Sequence, residues 1–222
     1  MVDGEQRRDA LLDAATGVLL SRGYDKLTMV DVAEAAGLSR TIVYRHFASK
    51  RELVDAVAAR ALRGYAVRWR TALSEEPRPG TPGSIYRAGF RVVAADPLLT
   101  AIATRDPQVF GRYLRDPEAT MPGPAGPEFL GLFLRRQQEA GVVRPGVDIA
   151  SVAAVLEALT AAIMRAVQEH QGRPGSPSPD ALIDTVTEMI DRMLTPPDVD
   201  TEAALALLDG VLDAGAGTPA QA

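Results

Sequence analysis

Between Ser39 and Arg51 the chain sets out Arg40, Arg45, Lys50 and Arg51 and no acidic residue, with Thr41, Tyr44 and His46 interleaved. Guanidinium, ammonium, hydroxyl and imidazole N–H groups on one short stretch suit anionic oxygens and the acceptor edges of bases rather than bond-breaking chemistry. Arg40, Thr41 and Arg45 are candidates for base reading, because Arg bonds guanine bidentately and a Thr methyl meets thymine. Phosphate contact without base discrimination is the plainer alternative for both arginines. Catalytic signatures are missing. His46 and His170 are the two histidines, and no Gly-x-Ser-x-Gly, His-Glu-x-x-His, P-loop or dinucleotide fingerprint occurs. No catalytic residue, metal site or cofactor is assigned.

The elements that must present these groups are legible from capping and turn chemistry. Thr28 N-caps a first short helix, with Asp31 three residues on as a shortened capping box. Val32, Ala33 and Ala36 form its small apolar face, and Gly37 follows where a helix end tolerates positive φ. Ser39 caps a second helix whose inward residues are Val43 and Phe47. Ser49 caps a third, with Glu52 completing a capping box. Two short helices joined by a tight turn, with Ala33 permitting close approach, form a helix-turn-helix whose second helix would enter the major groove. Upstream, Leu11, Leu12, Ala15, Val18 and Leu19 mark a scaffold helix ending at Arg22–Gly23, after a mobile arm over residues 1–6.

The segment AGLSRTIVYRHFASKRELVDAV, preceded by RRDALLDAATGVLLSRGYDKLTMVDVAEA, resembles the DNA-binding domain of tetracycline-repressor (TetR) family transcription regulators. The likeness is dense from about Arg7 to Val57, carried by Gly23–Tyr24, Thr28, Ala33, Gly37, Tyr44-x-His46-Phe47 and Lys50, and fades beyond. It implies that Tyr44, His46 and Lys50 contact phosphate. Thr28, at a helix N-terminus, can add backbone N–H groups, and Ser39, Arg40, Thr41 and Arg45 complete the expected DNA-binding set. Ile42 departs from the Thr or small residue common at its position.

Charge divides the chain in the same sense. Net charge is −5, but residues 1–70 hold 12 Lys/Arg against 9 Asp/Glu and residues 71–222 hold 12 against 20. An acidic body keeps non-specific polyanion binding low. There is no cysteine, which excludes disulfides and thiol chemistry. The N-terminus lacks an apolar leader, and Val152–Val167 is interrupted by Glu157 and Arg165, which argues against a membrane span and for a cytoplasmic setting.

The expected fold is all-α: a three-helix N-terminal helix-turn-helix domain (1–52) followed by a helical ligand-binding and dimerisation domain (53–196), then a short helix and disordered tail (197–222). A connecting helix is expected over about 50–73, with later helices near 82–95, 97–104, 107–115, 127–140, 148–170, 179–195 and 201–213. Asp-Pro pairs at 96–97, 106–107 and 116–117 set three of the breaks, and residues 121–127 form a Pro/Gly loop. An apolar pocket is expected from Trp69, Tyr86, Phe90, Phe110, Tyr113, Phe129, Phe133 and Met164, although aromatics at helical spacing equally serve as core. Ala154, Ala158, Ala161, Ile183, Val186 and Ile190 are expected at a dimer interface, because the last two long helices carry more apolar surface than one core face needs. The resemblance implies a homodimeric repressor on a near-palindromic double-stranded operator, released by a small, largely hydrophobic effector. The alternatives are a helical ligand-binding or interaction dimer without DNA function, and an all-helical enzyme.

Overall fold

The computed structural model describes the backbone of residues 2–120, 127–170 and 174–216, and side chains within 4–120, 130–170 and 174–208. All regular elements among the described residues are helical: α1 Val2–Lys26, α2 Met29–Ala35, α3 Arg40–His46, α4 Lys50–Ser74, α5 Pro82–Ala94, α6 Pro97–Thr104, α7 Pro107–Phe110, α8 Pro127–Glu139, α9 Ile149–His170, α10 Pro179–Leu194 and α11 Thr201–Ala216. A 3-10 turn, Gly111–Arg115, follows α7. The chain divides into two compact units, one of residues 1–66 and 96–123, the other of residues 67–95 and 124–222.

In the first unit, α1 supplies Leu11, Leu12, Ala15 and Leu19 to a buried core shared with Val32 and Ala33 of α2, Val43 of α3, and Leu53, Val54 and Val57 of α4. That core is closed by a segment the sequence reading assigned elsewhere: Leu98, Ala101 and Ile102 of α6, Phe110 of α7 and Tyr113 pack into the same cluster. The helix starting at Val2 replaces the expected mobile arm. Gly23 breaks α1 as expected, with φ 74° and ψ 161°, after which one more turn reaches Lys26.

The Thr28 capping box forms as expected, whereas at Ser49 the Glu52 carboxylate accepts from Ala48 N at 2.7 Å instead of closing the box on Ser49 N. The Thr28 hydroxyl accepts from Asp31 N at 3.1 Å, while the Asp31 carboxylate accepts from Thr28 N at 3.0 Å. Arg22 lies 2.7 Å from the same carboxylate. The Thr28 hydroxyl, first among these partners, holds the Asp31 carboxyl below its ordinary value of 3.8. With a lowered folded-state value, the stabilisation is present above the unfolded value and is lost as pH falls through the folded one. Thr28→Ala should cost about 1 kcal/mol of stability and return the Asp31 carboxyl toward 3.8, measurable by carboxyl-carbon titration. An unchanged titration would show that the cap does not govern Asp31.

In the second unit, Leu134, Val143, Ile149, Ala153, Leu156, Ile190 and Leu194 form one buried cluster, flanked by Tyr86, Leu130 and Val186. A separate cluster joins Leu73, Ala88, Phe133 and Leu208, with Trp69, Ile85 and Leu205 against it. The Trp69 indole donates to the Ile85 carbonyl at 3.1 Å. The α9 helix is 22 residues long and, by length and composition, apolar enough to cross a membrane. The expectation of no span rests on the shorter stretch Val152–Val167, which lies inside this helix. Its Ile149, Ala153, Leu156, Ile163, Met164 and Val167 are buried within the described structure, while most of the helix is not.

Two of the three Asp-Pro breaks open helices, as Asp96 and Asp106 accept from the first free N–H groups of α6 and α7. Asp116 instead ends the 3-10 turn and accepts from Glu118 N in a further turn, with no helix behind Pro117 among the described residues. The expected helix over 107–115 instead changes to 3-10 at Gly111, whose φ of 48° and ψ of −127° no α-helix accommodates. Of the expected loop at 121–127, Pro127 instead opens α8, and of the expected unstructured end at 214–222, residues 214–216 continue α11; residues 121–126 and 217–222 lie outside the described residues.

Candidate nucleic-acid interface

The turn between α2 and α3 is set by Gly37, at φ 65°, and Leu38 N donates back to Ala33 O at 2.9 Å. Val43 and Phe47 are buried, which fixes the rotation of α3 and turns Arg40, Thr41, Tyr44 and Arg45 outward. Tyr44 is 49% exposed although its neighbour Val43 is fully buried. Among the described residues, Arg40, Thr41, Tyr44 and Arg45 engage no hydrogen-bond or ion-pair partner, so this face keeps its polar capacity for another molecule. Ser39 occupies the N-cap of α3 but its side chain makes no capping bond, leaving that hydroxyl uncommitted as well.

Three other expected contacts are placed differently. Thr28 N and its hydroxyl are both engaged with Asp31, so α2 already has a carboxylate at its start. His46 Nε2 is buried without a hydrogen-bond partner, which leaves Nδ1 as the nitrogen through which this ring could meet a phosphate. Lys50 donates to Leu27 O at 2.8 Å and lies 4.3 Å from the centre of the Tyr24 ring. Burial, its largest influence, and then Arg112 hold the Lys50 ammonium below the ordinary lysine value. It pins the bend between α1 and α2 to the start of α4. Sequence reasoning missed this because nothing local links Lys50 to Leu27.

Beneath the bend lies a set of contacts that the sequence did not announce. A Cβ at Gly23 would meet Gln108 O at 2.4 Å, and one at Gly111 would meet Asp25 at 2.4 Å. Asp25 accepts from Arg112 N at 3.3 Å and pairs with its guanidinium at 3.1 Å. Tyr24 and Tyr113 rings lie 5.2 Å apart, and the Tyr113 hydroxyl donates to Asp55. Burial, then the Asp55 bond, pushes the Tyr113 phenol well above its ordinary value. Arg51 pairs with Glu118 at 2.9 Å. The turn that aims α3 is therefore braced from below by residues 107–120.

Phe110 and Tyr113, expected in an effector pocket, are fully buried in the first unit's core instead. The second unit holds Trp69, Tyr86, Phe90, Phe133 and Met164. Tyr86 and Phe90 are 5.5 Å apart, Met164 is buried, and Trp69 and Phe133 share the cluster beneath α11. The side chain of Phe129 lies outside the described residues.

Of the expected interface residues, Ile183 and Ile190 are 1% and 5% exposed and are spent inside the second unit. Ala154 and Ala158 are exposed, and Ala161 and Val186 are half-buried. The open apolar surface is an adjacent stripe: Val155, Leu159, Met189 and Met193 are 41–66% exposed and line a groove of about 780 Å³ between α9 and α10. Spacing of i, i+4 on each helix was a readable signal for that stripe.

The fold and the outward face of α3 define a helix-turn-helix protein. Residues 11–57 match the family described as bacterial regulatory proteins, tetR family. The HTH-type transcriptional regulator AlkX of Mycobacterium tuberculosis is 32% identical over 107 residues, covering 44% of this chain and 47% of that protein. The HTH-type transcriptional activator FasR of Mycolicibacterium smegmatis is 45% identical over 56 residues, 25% of this chain and 26% of that one. The chain spans about half, or less, of the length of these curated relatives. Among solved structures, a γ-butyrolactone receptor described as ArpA-like superposes with a TM-score of 0.59 at 20% identity, over 96% of this chain and 99% of that one, a likeness of fold. The likeness to the TetR family is thus carried by residues 11–57, and beyond them the likeness is one of fold.

Proposed function

We propose that the protein is a DNA-binding transcriptional regulator that acts as a homodimer on a near-palindromic operator. The uncommitted polar face of α3 carries this reading: Arg40, Thr41, Tyr44 and Arg45 stand exposed on a helix locked in rotation by Val43 and Phe47. Arg40, Thr41 and Arg45 read base edges; Ser39, Tyr44 and His46 through Nδ1 hold phosphate. Lys50 and Thr28 serve the interface by fixing the α1–α2 bend, and any phosphate contact from Lys50 uses the ammonium donor left beyond Leu27 and Asp25.

The deciding experiment is selection of bound sequences from a random DNA pool by the purified full chain. Recovery of a palindrome supports the proposal; absence of enrichment defeats it. On the selected site, Arg40→Ala should cost about 1–3 kcal/mol and relax one base position. A uniform loss over all sequences would move Arg40 to phosphate contact. Affinity should also fall linearly in log–log form with salt, as counterion release requires.

The effector half of the proposal rests on the second unit. A small, largely hydrophobic molecule binds among Trp69, Phe133 and their neighbours and shifts the dimer between two half-site spacings, which releases DNA; the regulator is then a repressor. The apolar cluster of Trp69, Leu73, Ile85, Ala88 and Phe133 beneath Leu205 and Leu208 supports this location. Trp69 is the one tryptophan in the chain. Truncation after Pro197 should therefore shift its emission to longer wavelength and lower stability by about 1.5–3 kcal/mol for the lost burial of Leu208 alone. Unchanged emission would show that α11 does not cover the site.

A further inference from the structure

The second unit contains another cavity, of about 430 Å³ and unlike the apolar groove in its chemistry. It is lined by Arg78, Arg87, Arg144 and Arg192, by the carboxylates of Glu188 and Asp191, and by Thr81, Ser84 and Thr195 between Pro77 and Pro197. The lining therefore carries four cations and two anions.

Arg78 pairs with Asp191 at 3.0 Å and donates to Pro196 O at 3.1 Å. Arg192 pairs with Glu188 at 2.7 Å. Arg87 turns to the buried Glu76 at 3.0 Å and to Thr187 at 3.1 Å, with Asp184 at 3.4 Å. The three threonine and serine hydroxyls donate to the Arg78 carbonyl, the Thr81 carbonyl and Asp191. Arg144 differs. Its guanidinium makes one long hydrogen bond, 3.4 Å to Arg192 O, and no ion pair among the described residues.

Arg144 is nevertheless held in place. Its backbone N–H donates to Leu194 O at 2.7 Å, and its carbonyl accepts from the Gln138 amide at 2.9 Å. The backbone of this half-buried residue is thus fixed at the rim of the cavity, and its guanidinium reaches the lining with most of its five donors unspent. Its charge is the one the surrounding carboxylates do not balance. Both lining acids are neutralised by their own arginines, so an entering anion meets ion pairs and one free fork.

We propose that this cavity binds a small monocarboxylate, held bidentately by Arg144. The planar fork matches the two oxygens of a carboxylate, and the single unbalanced charge sets the ligand's charge at one. Neither DNA reading nor the apolar effector site enters this inference, so it stands or falls separately from them.

The test is calorimetric titration of the full chain with lactate, at ionic strength held constant with sodium chloride and repeated with inorganic phosphate. Saturable one-to-one binding of lactate is expected. Arg144→Met, which keeps the aliphatic stem, should weaken it at least tenfold. Glu188→Gln, which frees Arg192 for the ligand while leaving Arg144 in place, should strengthen it severalfold and decides the matter should the Arg144 variant fail to fold. No saturable heat from lactate, equal affinity in Arg144→Met, or an unaltered affinity in Glu188→Gln overturns the proposal. Phosphate binding as tightly as lactate overturns the carboxylate assignment.

Discussion

Gly23→Ala should be among the most damaging single-methyl additions in the first unit. At φ 74° and ψ 161°, Gly23 occupies a region nearly closed to other residues, and forcing alanine into it costs about 1–3 kcal/mol. The added Cβ also meets Gln108 O at 2.4 Å, a backbone atom that cannot rotate away. The bend must therefore open, and α1 separates from the 107–120 brace. Because each kcal/mol moves the melting temperature of a unit this size by roughly 4–8 °C, a drop near 10 °C is expected by calorimetry. A shift under about 2 °C would show that the bend is not under this constraint. Operator affinity should fall with it, since Tyr24 beside Lys50 belongs to the same bend.

The second large effect concerns the α9–α10 groove. Leu159→Asp places a charge in the middle of the stripe formed with Val155, Met189 and Met193. If two copies bury this stripe against each other, the charge has no partner there, and the solution mass should fall from twice 23.6 kDa to 23.6 kDa. Helix content should stay constant, because Leu159 is 41% exposed within the single chain. Half-sites one helical turn apart are engaged together only by a dimer, and loss of that linkage removes an effective-concentration gain of about 10²–10⁴ in operator affinity. A variant that remains dimeric at micromolar concentration would place the interface elsewhere.

Local chemistry made part of this molecule readable in its residues. The α2–turn–α3 element was recoverable because Thr28, Gly37 and Ser49 act within four residues of where they stand. Both ends of α6 followed from Asp96-Pro97 and Asp106-Pro107 for the same reason. What escaped was partnership at long range. Periodicity shows that Phe110 and Tyr113 are buried but not against what, and they proved to face α1 rather than an effector cavity. The resemblance implied a phosphate contact for Lys50, but its bond to Leu27 O, 23 residues away, had no local signal. On α9 and α10 two apolar stripes run side by side, and composition does not say which one the core consumes. Ile183 and Ile190 went inward, leaving Val155, Leu159, Met189 and Met193 outside.

The first unit is discontinuous in the chain: it leaves at Ala66 and resumes at Asp96. For a polypeptide emerging from the ribosome, the helix-turn-helix is complete once α4 has started, but the floor beneath it has not yet been made. Phe110 and Tyr113 reach it only after a further stretch of more than forty residues has been synthesised. At about 5–20 residues per second that interval lasts seconds, during which α1 packs on α2, α3 and α4 but lacks the cover of α7 and the 3-10 turn. A nascent chain of this kind would be expected to recruit chaperones before any operator is within reach, and excising residues 1–66 as a stand-alone module would make that transient condition permanent.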